Sequence, residues 1–127
     1  LKEMADTHIQ PVHIELKIDS LIIDSKKALA IGMIVSELVS NSYKHAFKNI
    51  GKPKISITLK NDILHKKIVL TIEDNGIGYQ SLNQTDAGLG RRLVDIFSGQ
   101  LEGIYELDTE GKFMYTLYIN HTDHEKY

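Results

Sequence analysis

Four residues in the first half of the chain have the types and spacing of a site. Glu37, Asn41 and His45 follow one another at four-residue intervals, and Lys44 lies three beyond Asn41. On an α-helix that spacing puts all four on one face. A carboxylate, a carboxamide, an ammonium and an imidazole together suit a metal-bound phosphate. Asn41 offers a neutral oxygen to Mg²⁺, Lys44 and His45 meet phosphate oxygens, and Glu37 orients or deprotonates a nucleophile. The helix alone leaves a second reading open, that of a solvated edge beside an apolar stripe.

Two further stretches carry chemistry. In "LTIEDNGIGY", Leu70 to Tyr79, an apolar strand ends on Asp74 and gives up side chains at Gly76 and Gly78. Asp74 is an acceptor-only group able to receive an amine proton such as that of adenine N6. The glycines allow a turn through φ > 0 and a close approach of backbone to a flat ring. A ligand-free turn accepts the same residues. In "GLGRR", Gly88 to Arg92, glycines lead into a helix N-terminus, whose free N–H groups and positive dipole end seat phosphate. Arg91 and Arg92 are unfavourable in a first helical turn unless an anion is near; the end of a flexible loop is the alternative. No Gly-x-x-x-x-Gly-Lys-Ser/Thr run exists, and Ser81 stands where a dinucleotide fingerprint needs a third glycine.

These residues need elements to hold them. "VHIELKI" alternates as a half-buried strand, and "LII" after Ser20 reads as a second, shorter one. Asp24 or Ser25 caps a helix running to about Phe47, with Ile31, Ile34, Val35, Leu38 and Val39 facing the core. "KISITLKN" and "KKIVLTIED" form a hairpin turning around Asn61-Asp62. After a polar loop, a second helix spans about Leu89 to Ser98 and closes at Gly99. "EGIYELD" and "KFMYTLYI" are the last strands. Strands and helices mix without regular alternation, so the class is α+β, with helices over one face of a mostly antiparallel sheet.

The 127 residues, 42% of them hydrophobic, suit one domain spanning 1–127. A start on Leu1 reads as a piece of a longer protein. The absence of cysteine excludes disulfides, thiol catalysis and cysteine-ligated zinc. A net charge of −2 provides no field for holding nucleic acid. No apolar run is long enough to span a bilayer, so a soluble fragment without membrane contact is expected.

Taken in order, "SELVSNSYKHAF", "EDNGIG" and "AGLGRRLV" resemble the N box and the two glycine boxes of the GHKL superfamily, which unites gyrase, ATP-driven chaperones, histidine kinases and mismatch-repair ATPases. The likeness runs from about Val12 to Ile119 and is greatest to the catalytic, ATP-binding domain of sensor histidine kinases. It implies a two-layer α/β sandwich, the Bergerat fold, with ATP between the first long helix and a short lid. By position, Asn41 matches the Mg²⁺ ligand, Glu37 an acid that activates water in hydrolysing relatives, and Lys44 and His45 phosphate contacts. Asp74 matches the adenine-reading carboxylate. Gly76 and Gly78 match the base-cradling turn, and Gly88, Leu89 and Gly90 the lid hinge and phosphate-side backbone. Two departures stand out. Gly111-Lys112 replaces a common Gly-Thr whose hydroxyl joins the adenine network, which implies weaker base affinity. Arg91 replaces an aliphatic residue and is assigned to a terminal phosphate.

The same resemblance implies the cofactors ATP and Mg²⁺, a cytoplasmic setting, and two partners: a dimerisation and phosphoacceptor domain outside this chain, and the receiver domain of a response regulator. Six histidines are present. None precedes Val12 within a segment long enough to be the acceptor hairpin, His45 belongs to the nucleotide site, and His121 and His124 read as a solvated pair in a polar tail. Two rival functions remain at this point, a serine kinase controlling an anti-sigma partner and a non-catalytic nucleotide-sensing module.

Overall fold

A computed structural model of the chain describes residues 11–48, 50–76 and 84–121, with residues 84–91 described by backbone alone. Among these residues five strands, β1 (His13–Ile18), β2 (Lys54–Asp62), β3 (Lys67–Asp74), β4 (Ile104–Asp108) and β5 (Phe113–Asn120), form one sheet. Its order is β1-β2-β3-β5-β4, with β1 parallel to β2 and the other pairs antiparallel. Among the described residues two helices, α1 (Ser25–His45) and α2 (Gln84–Gln100), supply the second layer. The expected α+β sandwich with a mixed sheet is what the chain forms.

Alternation decides the faces of the sheet. In β3 the residues Ile68, Leu70 and Ile72 point inward and are buried, and β5 repeats the pattern with Phe113, Tyr115, Leu117 and Ile119. Register lines these rows up across strands, Leu59 beside Leu70 and Leu70 beside Leu117. Above them α1 lays Ala30, Ile31, Ile34 and Leu38. Asp24 caps α1, its side chain accepting from the Lys27 N–H at 2.8 Å. The capping carboxylate satisfies one of the orphan donors of the first turn. α2 is fastened to the sheet by Val94, by a Ser98 to Tyr115 hydroxyl contact of 3.2 Å, and by the Tyr105 hydroxyl donating to Asp95. Burial pushes the Tyr115 phenol up to about 12, so it stays neutral.

Several local expectations are corrected. Residues 21–23 form no strand; Leu21 and Ile23 instead pack half-buried against the core. Asp19 N–H makes the last β1 bond, to the Leu59 carbonyl, after which the chain turns toward the Asp24 cap and leaves the sheet. The hairpin turn is not at Asn61-Asp62, which stay in the ladder, but at residues 63–66. There Asp62 accepts from the His65 N–H and Lys66 takes a φ of 55. α2 does not close at Gly99. The Glu102 N–H donates to the Gly99 carbonyl and the Gly103 N–H to that of Ser98, with Glu102 at φ 52. This is a Schellman end whose left-handed residue is a glutamate rather than glycine. His121 is buried rather than solvated, its N–H donating to the Lys66 carbonyl; His124 lies outside the described residues.

Candidate functional site

Asp74 is the inward-facing residue that follows Ile68, Leu70 and Ile72 in β3, and it sits between Ile55 and Phe113 in register. A carboxylate thus occupies a core position and is only 3% exposed. Two donors hold it. The Ser42 hydroxyl donates to Oδ2 at 2.6 Å and the Gly76 N–H to Oδ1 at 2.9 Å. Burial pushes the carboxyl above its ordinary range; the two bonds pull it down and neighbouring Glu73 pushes it up further. Each carboxylate oxygen has a second lone pair. The group is therefore a fixed acceptor in an apolar wall, suited to reading an amine.

Ser42 was not among the residues expected at the site, although its signal is in the sequence. It continues the inward row Ile34, Leu38 at the next four-residue step, so a hydroxyl stands where the stripe calls for an apolar side chain. Asn75 was also missed. Its N–H donates to the Lys54 carbonyl at 3.1 Å, its Oδ1 accepts from the Lys54 N–H at 2.8 Å, and its Nδ2 donates to the Lys52 carbonyl at 2.8 Å. This clamp ends β3 and fixes the turn that follows.

Gly76 has a reason other than the one expected. Its φ is not in the left-handed region; a side chain is excluded because a Cβ would run into the Ala46 carbonyl and come within 2.6 Å of the Ala46 Cβ. The turn after Asp74 is thereby pressed against the end of α1. The same helix carries the polar row. Glu37, Asn41 and His45 are half-buried, and Lys44 is exposed. Among the described residues, no hydrogen bond or ion pair engages their side chains. Lys44 and His45 occupy the last turn of α1, where the helix dipole is negative and favours cations. An anion brought here is met by their side chains and not by the helix end.

The second glycine stretch sits differently from the expectation. α2 begins at Gln84, so Gly88, Leu89, Gly90 and Arg91 lie within the helix and not at its mouth. Nothing in Gln84–Ala87 breaks a helix, and two interior glycines cost about 1 kcal/mol each without stopping it. The free N–H groups of the first turn accordingly belong to the residues from Gln84 on, not to those from Gly88. Gly78 lies outside the described residues, as does the expected lid loop from Tyr79 to Ala87 as far as residue 83; its last four residues, Gln84 to Ala87, are helical and belong to α2. Lys112 has a partner of its own: its ammonium donates to Glu73 at 2.7 Å. Among the described residues there is no cluster of three or more acidic or histidine side chains to hold a metal ion, and no helix is long and apolar enough to cross a membrane.

Comparison with known proteins points in the same direction. Residues 26–118 match the family described as histidine kinase-, DNA gyrase B-, and HSP90-like ATPase. The sensor histidine kinase PdtaS of Mycobacterium tuberculosis is 30% identical over 98 residues, covering 74% of this chain and 19% of that protein. The chain thus spans about a fifth of the curated relatives it matches. Among solved structures, the histidine kinase domain of the Erythrobacter litoralis EL346 blue-light activated histidine kinase superposes with a TM-score of 0.75 at 22% identity, over 85% of this chain and 54% of that one. Full-length ShkA in complex with AMPPNP gives 0.61 at 16% identity, over 85% and 25%. These two likenesses are of fold.

Proposed function

The chain belongs to the histidine kinase-, DNA gyrase B-, and HSP90-like ATPase family, and from that premise we propose that residues 1–127 are the ATP-binding catalytic domain of a sensor histidine kinase. In this reading it binds Mg-ATP and transfers the γ-phosphoryl group to a histidine on a separate dimerisation domain, from which a response-regulator receiver takes it. The setting is cytoplasmic, where ATP is supplied. The observation that carries the reading is the buried Asp74, held by Ser42 and Gly76 at the end of β3 directly beneath α1. A buried acceptor with spare lone pairs is costly to the fold and is explained by a donor that arrives with the ligand.

Asp74 would accept from the adenine amine, and Gly76, lacking a side chain, lets the turn close on α1 while keeping that carboxylate in place. Asn41 would hold magnesium through its carboxamide oxygen. The donor set fits this ion, which keeps most of its waters and takes few protein oxygens. When bound, magnesium would supply positive charge to offset that of the phosphates. Lys44 and His45 would offset the remaining phosphate charge from the end of α1. Arg91, with Gly88, Leu89 and Gly90, is assigned to the phosphate side through α2, and Gly78 to the turn against the base. The incoming imidazole nitrogen forms a bond to the γ-phosphorus as the bond to the β,γ-bridging oxygen breaks. Glu37 would take or orient the imidazole proton.

The experiment is a thermal melt of the chain with Mg-ATP, Mg-GTP, and ATP plus chelator. A ligand at about 100 times its Kd adds roughly 2.7 kcal/mol, a rise of several degrees. A rise requiring both adenine and Mg²⁺ supports the assignment. No rise with any nucleotide refutes it.

A further inference from the structure

β1 carries a pattern that nucleotide binding does not use. Ile14, Leu16 and Ile18 lie beside Ile55, Ile57 and Leu59 and so stand on the helix-covered face of the sheet. Ile55 and Ile57 are buried, yet Ile14, Leu16 and Ile18 are 41%, 59% and 61% exposed. An apolar row left in water on the core side of a sheet has a missing cover. β1 is also an edge, with β2 as its neighbour among the described residues. His13 N–H donates to the Pro53 carbonyl at 3.0 Å and Asp19 N–H to that of Leu59 at 2.8 Å. The odd-numbered residues therefore turn their backbone groups toward β2, and those of Ile14, Leu16 and Ile18 point to the open side.

We propose that this edge is self-complementary, and that two copies of the chain pair antiparallel through β1 about a two-fold axis at Leu16, joining their sheets into one. Strand alternation leaves few registers to choose from. An axis between two residues sets the apolar row of one strand against the polar row of the other. An axis on Glu15 puts that glutamate against the partner's Glu15, and an axis on Lys17 puts two lysines face to face. Axes on Ile14 and Ile18 also set unlike residues together, His13 with Glu15 and Lys17 with Asp19, but they overlap at most half of β1, and the axis on Leu16 gives attraction over its whole length. Leu16 meets the partner's Leu16, Ile14 meets the partner's Ile18, Glu15 meets the partner's Lys17, and His13 meets the partner's Asp19, each unlike pair occurring twice by symmetry.

The same register satisfies the backbone. Ile14, Leu16 and Ile18, whose N–H and C=O groups face outward, become the hydrogen-bonded pairs. Glu15 and Lys17 fall at the non-hydrogen-bonded positions, where opposite side chains stand closest. Glu15 already lies 3.5 Å from Lys54 on the outer face, so it would sit between two ammonium groups. Charges on an edge strand ordinarily discourage pairing. A strand reading His-Ile-Glu-Leu-Lys-Ile-Asp matches its charges over its full length in one register. The pairing is independent of the nucleotide site.

The test is sedimentation velocity of the chain over a concentration series, for wild type, Lys17→Glu, Glu15→Lys, the double variant Glu15→Lys/Lys17→Glu, and an equimolar mixture of the two single variants. Thermal melts confirm that each is folded. Wild type is expected to dimerise, more weakly as salt rises. Lys17→Glu turns two attractive pairs into repulsive ones and should raise Kd at least about tenfold without touching the Glu15–Lys54 contact. The double reversal restores the pairs across the axis and should bring Kd back well below that of Lys17→Glu, although it gives up the Glu15–Lys54 contact. In the mixture each single variant, weak alone, should form a heterodimer with the other. A wild type that stays monomeric at all concentrations overturns the proposal, and so does association that Lys17→Glu leaves unchanged or that the double reversal fails to restore.

Discussion

Replacing Asp74 with asparagine separates what this residue does for the fold from what it does for a ligand. Asparagine is nearly isosteric and can keep both local bonds: its oxygen accepts from the Gly76 N–H, and its amide donates to the Ser42 hydroxyl, which rotates to accept. What disappears is a buried negative charge. Burial holds the Asp74 carboxyl above its ordinary range, so the folded state binds its proton more tightly than the unfolded chain does. By linkage, the wild type gains stability as pH falls through the raised folded value toward the ordinary one, and lacks that gain at neutral pH. Asp74→Asn should therefore melt at or above the wild-type temperature at pH 7, with the difference shrinking under acid. Binding should move the other way. A hydrogen bond to a charged group contributes about 1.5–3 kcal/mol, and an amide facing the adenine amine loses it. Kd for Mg-ATP should rise roughly tenfold to a hundredfold. Calorimetric titration and melts from pH 4 to pH 8 read both quantities. An unchanged Kd refutes the assignment of Asp74 to the base, and a melting temperature far below wild type at pH 7 refutes the electrostatic account.

Ser42→Ala removes the donor that pulls the Asp74 carboxyl down. The carboxyl should rise further, so that nucleotide affinity measured against pH begins its acid loss at a higher pH than in wild type. Gly76→Ala drives a Cβ into the backbone of Ala46, and since neither segment yields cheaply the loss of stability should be about 1–3 kcal/mol in denaturant melts. Glu102→Gly relieves the left-handed residue at the end of α2. It should stabilise by about 1 kcal/mol, a few degrees in Tm, with no change in nucleotide binding; a drop in Tm would contradict the strain argument.

Much of the architecture was legible because it rests on periodicity. The stripe Ile31, Ile34, Leu38 placed α1, and the alternations through Ile68–Ile72 and Phe113–Ile119 placed the central strands. Local chemistry was a poorer guide at the ends of elements. Gly99 drew the close of α2 two residues early because glycine is the usual left-handed residue, whereas Glu102 takes that conformation here. The glycines at Gly88 and Gly90 suggested a helix mouth, but a helix accepts isolated glycines when nothing before them breaks it. Residues 21–23 have the composition of a strand, but they lie where the chain leaves the sheet for the Asp24 cap of α1.

The site shows a different limit. The reason for Gly76 lies in Ala46, thirty residues earlier in the chain, and no pattern around either residue announces the contact. Asp74 and Ser42 are the opposite case. Asp74 interrupts an apolar alternation in β3, and Ser42 interrupts an apolar stripe in α1. Either residue alone would leave a buried polar group unsatisfied, at a cost of about 1–3 kcal/mol. Together they satisfy each other across 2.6 Å, and the carboxylate still has acceptor capacity to spare. Two polar interruptions on facing apolar rows are thus a stronger indication of a site than a glycine motif, because each offsets part of the cost of burying the other.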